Sequence, residues 1–534
     1  MVLITYPYPS QRRVVLGNRG VVATSQALAS LAGMEMLQAG GNAVDAAIAT
    51  AITLTVVEPT SNGLGSDAFA LVWDGTKLHG FNGSGRSPAG MKRDRYTTEI
   101  PQFGWPSVTV PGAVSAWQAL WERWGSLPWA QLCAPAIHYA TAGFPVSPVT
   151  ALAWQREAHR FATVQGPEYE AFKRAFFPGD GCAGADRAPH AGETWRSPGH
   201  AATLRTLANE GGRSFYEGSI AEQIARFSAQ TGGWLTRADL AAHQGDWVEP
   251  LSMPYRDVEV WEMPPNGQGL AALMALNILA GFDLAAEPRD SVISFHQQIE
   301  AMKLAFADAQ RYISDPATMP IPPAAFLTAD YGAERRQLVG DRALPLANPG
   351  LPKGGTVYLC TADQRFMVSF IQSNFINFGS GLLVPETGIA LQNRAWGFNL
   401  IPGHPNELAP KKRPFHTIIP AFLTRNGQPL GPFGVMGAQM QPQGHVQMVV
   451  NTTDYGMNPQ AALDAPRWRF LRDNLVMLEL GVERSIAAGL TERGHRVTVT
   501  PAIHEFGKGQ MILNQGGTFW AGTEPRADGG AIAW

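Results

Sequence analysis

Apolar residues recur at helical spacing from Ser25 to Gln38 and stop at Gly40-Gly41, after which Asn42 is placed to cap a second helix, Ala43 to Val57. Ala68 to Trp73 and Leu78 to Phe81 alternate around Asp74-Gly75 and predict a hairpin. Pro111-Gly112 precedes a helix over Ala113 to Trp124, whereas Arg156 to Pro198, with Gly179, Asp180 and Gly181, lacks periodicity and predicts a surface excursion. Val258 to Met263, the loop Pro264-Pro265-Asn266-Gly267-Gln268-Gly269 and Leu270 to Leu279 read as strand, glycine loop and helix. Two prolines stand where a phosphate loop needs N–H donors, and the full GxGxxG spacing is missing, so a dinucleotide site is disfavoured.

Met302 to Ile313 predicts a further helix, and the proline-rich Ser314 to Pro352 reads as a connection. Strands dominate afterwards. Val357 to Thr361 and Phe366 to Gln372 form a predicted hairpin around Ala362 to Arg365, Ile418 to Leu423 is a strand that Pro420 assigns to a sheet edge, and Gly434 to Met436 is another. Gly444 to Asn451 predicts a helix. Elements in this order suit layers of helix and sheet rather than a parallel wound sheet.

The 534 residues exceed what one simple core organises, so two lobes or one large layered domain are expected. With 45% apolar and 16% charged residues, 57 glycines and 40 prolines, the chain is turn-rich with much buried surface. A net charge of −3 with interspersed signs gives no field for nucleic acid and no polybasic segment for a membrane surface. Met1 to Val15 has no continuous apolar run, Ala46 to Val57 is too short to span a bilayer, and Cys133, Cys182 and Cys360 are odd in number without CxxC spacing. A cytoplasmic location without disulfides is the expectation, with Cys360 packed along its strand. The 12 histidines form no HExxH or similar spacing, and no metal or other cofactor is expected.

The chemistry centres on Gly354-Gly355-Thr356, a hydroxyl placed after two glycines at the start of a strand. Such a sequence is also an ordinary loop ending. If the Gly355–Thr356 bond breaks, however, Thr356 gains an α-amine of pKa ~8 beside its own hydroxyl, a base and a nucleophile in one residue.

Gly40-Gly41-Asn42-Ala43-Val44-Asp45-Ala46-Ala47, Glu58-Pro59, Gly63-Leu64-Gly65-Ser66 and Val110-Pro111-Gly112 precede that threonine. Gly355-Thr356 through Asp363, Phe378-Gly379-Ser380-Gly381, Lys412-Arg413-Pro414 and Asp464-Ala465-Pro466-Arg467 follow. In this order they resemble the γ-glutamyltranspeptidase family of N-terminal-nucleophile hydrolases. Gln392-Asn393-Arg394, Lys412 to Thr417 and Gly434 to His445 resemble its divergent cephalosporin-acylase-like branch. The resemblance implies an α+β fold, a four-layer αββα sandwich made as one precursor. Cleavage would give a large fragment, residues 1–355, and a small one, residues 356–534, which associate. Glycine before the scissile bond is expected to accept strained backbone.

On the resemblance, Thr356 is the nucleophile, Ser373 hydrogen-bonds its hydroxyl, and the N–H groups of Gly437 and Ala438 form the oxyanion hole, provided that Ala438 keeps a negative φ. Substrate contacts are implied at Arg86, Asn374, Arg394, His416 and Thr417. The family's aspartate for a substrate ammonium falls on Gly397, its serine pair on His416-Thr417, and its arginine near Ser84, two residues from Arg86. Loss of an anion with Arg394 as an added cation shifts preference toward acyl groups carrying a carboxylate without the amine, unless Arg394 pairs with an internal carboxylate. His416 and His445 are expected to be structural, because the Thr356 amine supplies a base. The segment from Phe398 to Lys411 is shorter than the family's lid loop, which favours hydrolysis over transfer.

The expected function is therefore an autoprocessing amidohydrolase or acyltransferase acting on small-molecule γ-glutamyl (glutathione-like) amides through a threonine acyl-enzyme. An acylase for glutaryl-type amides is the alternative on the same fold, and an unprocessed, non-catalytic binding protein is the alternative of another class.

Overall fold

The computed structural model describes residues 7–9, 12–177, 187–345 and 355–534. Gly354, Cys182, Gly179, Asp180 and Gly181, residues 346–352 of the proline-rich stretch, and Met1 to Tyr6 with Ser10 and Gln11 lie outside the described residues.

Two seven-stranded antiparallel sheets stack face to face. The first runs, in order, Gly530–Ala533, Gly20–Thr24, Gly355–Asp363, Met367–Phe375, Asp67–Trp73, Leu78–Asn82 and Asp246–Val248. The second runs Val15–Gly17, Thr518–Thr523, Lys508–Gln515, Gln428–Met436, Ala421–Arg425, Val258–Glu262 and Leu251–Tyr255. Period-two alternation sorts their side chains. Tyr358, Cys360, Phe69, Ile371, Phe422 and Ile512 fill the space between the sheets. Val357, Leu359, Val368 and Phe370 face the opposite way, toward the helices Ala43–Val57 and Ala113–Trp124. Val260, Leu423, Phe433 and Val435 pack under Gly269–Leu279, Val292–Tyr312 and Met440–Thr453. Each such aliphatic or phenyl side chain removed from water contributes about 1.5–3 kcal/mol, so three apolar layers hold four layers of backbone together. The expected αββα sandwich is the fold.

Local signals act as read. Asn42 Oδ1 accepts from the N–H groups of Val44 and Asp45 at 2.8 and 3.0 Å, and Asp45 Oδ2 accepts from Asn42 N at 2.9 Å, a reciprocal cap on a helix buried at every position. Asp74 Oδ1 accepts from Thr76 N and Lys77 N at 2.9 and 3.0 Å and closes the predicted hairpin. Residues before and after position 355 interleave in both sheets, so fragments divided there would share one core.

Three readings change. The strand expected at an edge occupies Ala421–Arg425 in the interior of its sheet, because Pro420 precedes the first paired residue and removes no ladder bond. Val292–Tyr312 begins ten residues earlier than its apolar pattern, started by Ser291, whose side chain accepts from Ser294 N. Arg156 to Pro198 is no surface excursion in its described part. Helices Pro148–Phe161 and Glu170–Phe176 bury Trp154, Phe161, Phe172 and Phe176 around Phe378. The aromatic contacts are spread over several turns and close on a residue from the other half of the chain, a pattern without a period.

Candidate functional site

The Gly355–Thr356 junction lies at the head of the strand Gly355–Asp363, where Gly355 pairs with Phe375 and a bulge follows. Thr356 is buried, and its Oγ1 donates to Ser373 Oγ at 3.0 Å. Ser373 Oγ in turn donates to the Gly355 carbonyl oxygen at 2.7 Å and accepts from Phe375 N at 2.8 Å. Each hydroxyl has one proton, so the chain of bonds has a direction, from Thr356 Oγ1 through Ser373 Oγ to the Gly355 carbonyl oxygen. The space around Gly355 also favours a residue without a Cβ. Its backbone is extended within a ladder, and a Cβ there would stand 1.8 Å from Asn377 Oδ1.

Gly437 and Ala438 follow the strand Gln428–Met436 with φ of 133° and 51°. Ala438 thus departs from the negative φ expected of it and takes a left-handed conformation that costs an L-residue about 1–2 kcal/mol. Its carbonyl accepts from Gln268 Nε2 at 2.8 Å and Gln441 N at 3.1 Å, and the Gly437 carbonyl accepts from Met440 N at 2.9 Å. The Gly437 carbonyl's bond fixes the peptide plane that carries the Ala438 N–H, and among the described residues no acceptor meets the N–H of Gly437 or Ala438. Gln268 Nε2 also donates to Thr417 O at 2.6 Å, so the loop from Pro264 to Gly269 buttresses this turn.

Gly355, Thr356 and Gly437 line a cavity of about 330 Å³. Sequence reasoning missed its charged wall. Arg156, Arg160, Arg469 and Lys508 face it with Glu157 and Glu505, four cations against two carboxylates. Arg160 Nε lies 2.6 Å from Glu157 Oε2, Arg469 Nη1 donates to Glu505 Oε2 at 2.6 Å, and Lys508 Nζ is 3.9 Å from the buried Glu58. Burial raises the carboxyl pKa of Glu58 and Glu157 despite those cations. Arg156 and Arg160 sit one helical turn apart, the only trace of this wall in the sequence, and it carried no distinguishing pattern.

The other predicted substrate residues do not line that cavity. Arg394, His416 and Thr417 are fully or almost fully buried with Asp67, which lies opposite Ser373 in the neighbouring strand. His416 Nε2 donates to Asp67 Oδ2 at 3.2 Å, and Arg394 Nη1 donates to Thr417 Oγ1 at 2.9 Å. Burial pushes the Asp67 carboxyl up to about 7 even beside Arg394, brings the Arg394 guanidinium down to about 9, and keeps His416 neutral, well below its ordinary value. Asn374 accepts from Ser66 Oγ at 2.8 Å through its side-chain oxygen. Arg86 is half exposed and pairs with Asp315 at 3.1 Å, away from Thr356.

His445 is internal: Val435 N donates to its Nε2, its Nδ1 donates to Glu262 at 2.6 Å, and burial lowers its pKa to about 3. Against the expectation from spacing, His296, Glu300 and His495 bring possible metal-ligand atoms within 4.8 Å of one another. Lys303 Nζ already holds Glu300 Oε1 at 2.8 Å, a cation where an ion would stand, so the donor set fits internal pairing and not a metal. Cys133 and Cys360 are buried free thiols, and among the described residues no helix is long and apolar enough to cross a membrane.

The gamma-glutamyltranspeptidase family model matches residues 29–534. The chain is 34% identical over 533 residues to the glutathione hydrolase-like YwrD proenzyme of Bacillus subtilis (strain 168), covering 97% of this chain and 99% of that protein. It is 31% identical over 547 residues to the acylase ACY 1 proenzyme of Pseudomonas sp. (strain V22), covering 98% and 95%. The crystal structure of cephalosporin acylase from Bacillus halodurans superposes with a TM-score of 0.94 at 51% identity, covering 99% of this chain and 98% of that one. With an αββα sandwich whose central strand carries Thr356 and a family model matched almost from end to end, the chain belongs to the γ-glutamyltranspeptidase family, in its acylase-like branch.

Proposed function

We propose that the protein cuts its own Gly355–Thr356 bond and then hydrolyses amides of carboxylate-bearing acyl groups through an ester on Thr356. The observation that carries this reading is the directed hydrogen-bond chain from Thr356 Oγ1 through Ser373 Oγ to the Gly355 carbonyl oxygen. As Thr356 Oγ1 bonds to the carbonyl carbon, its proton passes to Ser373 while the Ser373 proton passes to the carbonyl oxygen. Collapse re-forms the C=O and breaks the C–N bond as the hydroxyl proton passes to the departing nitrogen, and water hydrolyses the resulting Gly355 ester. The freed α-amine then serves Thr356 as its base toward substrate.

In turnover the N–H groups of Gly437 and Ala438 receive the developing oxyanion. The predominance of cations around the cavity supports a substrate carboxylate, and no carboxylate replaces the family's ammonium partner at Gly397. A second reading, hydrolysis of glutathione-like γ-glutamyl amides, is favoured by the Glu157 and Glu505 carboxylates on the same wall, which offer an ammonium somewhere to bind.

A denaturing gel tests the first step. The purified protein should show two fragments divided at Thr356, and Thr356→Ala a single uncut chain without amidase activity. Glutaryl and γ-glutamyl p-nitroanilides then separate the two substrate readings by kcat/KM. An uncut, inactive wild-type chain would instead point to a non-catalytic binding protein.

A further inference from the structure

Arg394 is fully buried, yet its Nε and Nη2 have no hydrogen-bond partner among the described residues. Asp67 Oδ2 stands 4.0 Å from Nε, beyond hydrogen-bond reach, and is engaged by His416. A guanidinium stripped of water with donors unmade is costly unless a ligand meets them.

What covers this guanidinium is the ring of Phe375, whose centroid lies 4.0 Å from Arg394 Cζ. Phe375 has a φ of 75°, a strained region that a bulky side chain keeps only when its surroundings impose it. Two contacts impose it here. The Phe375 N–H donates to Ser373 Oγ at 2.8 Å, and Phe375 pairs across the ladder with Gly355. Gly355 is the residue whose carbonyl the proposed cleavage attacks. One residue therefore touches the scissile junction through its backbone and covers a buried cation with its side chain.

We propose that Phe375 is a latch: in the uncut chain its ring masks Arg394, and cleavage after Gly355 releases its strand partner, lets its backbone relax and opens Arg394 to the carboxylate of the acyl group. The latch rests on the proposed function. It makes substrate recognition a consequence of processing, so that a precursor does not bind acyl carboxylates before it has a free Thr356 amine. Glutarate, a dicarboxylate without an amide, is the probe. Calorimetry should show glutarate binding to the processed enzyme about tenfold or more tighter than to uncut Thr356→Ala, the scale of one charge-assisted pair. Thr356→Ala combined with Phe375→Ala should recover the affinity of the processed form, with Phe375→Leu as a milder variant that keeps the core filled. Arg394→Lys in the processed enzyme should weaken glutarate at least as much as masking does.

Equal glutarate affinity for cut and uncut chains overturns the latch, as does unchanged affinity in Arg394→Lys. If the wild type cuts itself and turns over amides while either of those results holds, the latch fails and the proposed function stands. A chain that never cuts itself overturns both.

Discussion

Thr356 and Ser373 share a hydrogen bond of 3.0 Å in which the threonine donates, and the serine donates in turn to the Gly355 carbonyl oxygen at 2.7 Å. Nucleophile and electrophile of the proposed cleavage thus belong to adjacent residues and are connected by a third. Removing the connecting hydroxyl leaves both ends in place without a proton path. Ser373→Ala should slow self-cleavage by about 10²-fold or more, the range of positioned proton transfer, while Ser373→Thr retains it. Band intensities followed from a freshly refolded chain give the rate, and a Ser373→Ala chain that cuts as fast as the wild type removes the serine from the mechanism.

Gly355 tests packing at the same bond. A Cβ at this position meets Asn377 Oδ1 at 1.8 Å, so alanine displaces the junction from Ser373 or displaces Asn377 itself. Gly355→Ala should process slowly, and adding Asn377→Gly should restore much of the rate because the obstructing amide is gone. If the pair cleaves no faster than Gly355→Ala alone, backbone freedom at Gly355 matters more than space.

Much of this junction was legible in the sequence because its determinants are local. Alternation after Thr356 sent Val357 and Leu359 to one face and Tyr358 and Cys360 to the other, and Asn42 wrote its own helix cap. The cavity wall was not legible. Arg156 and Arg160 reach it because Trp154 and Phe161 anchor their helix on Phe378, contacts between residues more than two hundred positions apart that leave no period in either segment. Burial was hidden for a similar reason. Arg394 reads as an added cation for substrate, and only the packed ring of Phe375 and the neighbouring Asp67 show that water is excluded from it.

Asp67 carries the pH dependence of that buried cluster. Its folded pKa of about 7 lies above the ordinary carboxylate value because burial disfavours the charged form more than Arg394 favours it. Between those two values the folded chain holds a proton that the unfolded chain has lost. The stability contributed by the neutral carboxyl is therefore present in full below the unfolded pKa and declines as pH rises toward 7. Asp67→Asn cannot titrate, so the melting temperature of the wild type relative to this variant should fall from pH 5 to pH 7.5. A constant difference across that range would mean that Asp67 is ionised throughout.

Arg156 is exposed and lines the cavity, whereas Arg394 is buried outside its lining, and that exposure predicts how Arg156 contributes to turnover. An exposed cation interacts with a substrate carboxylate across water and salt, much the same in the ground state and in the transition state, so it lowers KM without changing the chemical step. Arg156→Ala should therefore raise KM for a glutaryl anilide by about threefold, in line with an exposed ion pair worth under 1 kcal/mol, and leave kcat within error. The increase should shrink when salt is raised to 0.5 M, because screening already weakens the wild-type contact. Should kcat fall instead, with KM unchanged and no response to salt, Arg156 acts on the geometry of Thr356 through its helix, and the cavity wall is a support for the nucleophile and not a receptor for the substrate's charge.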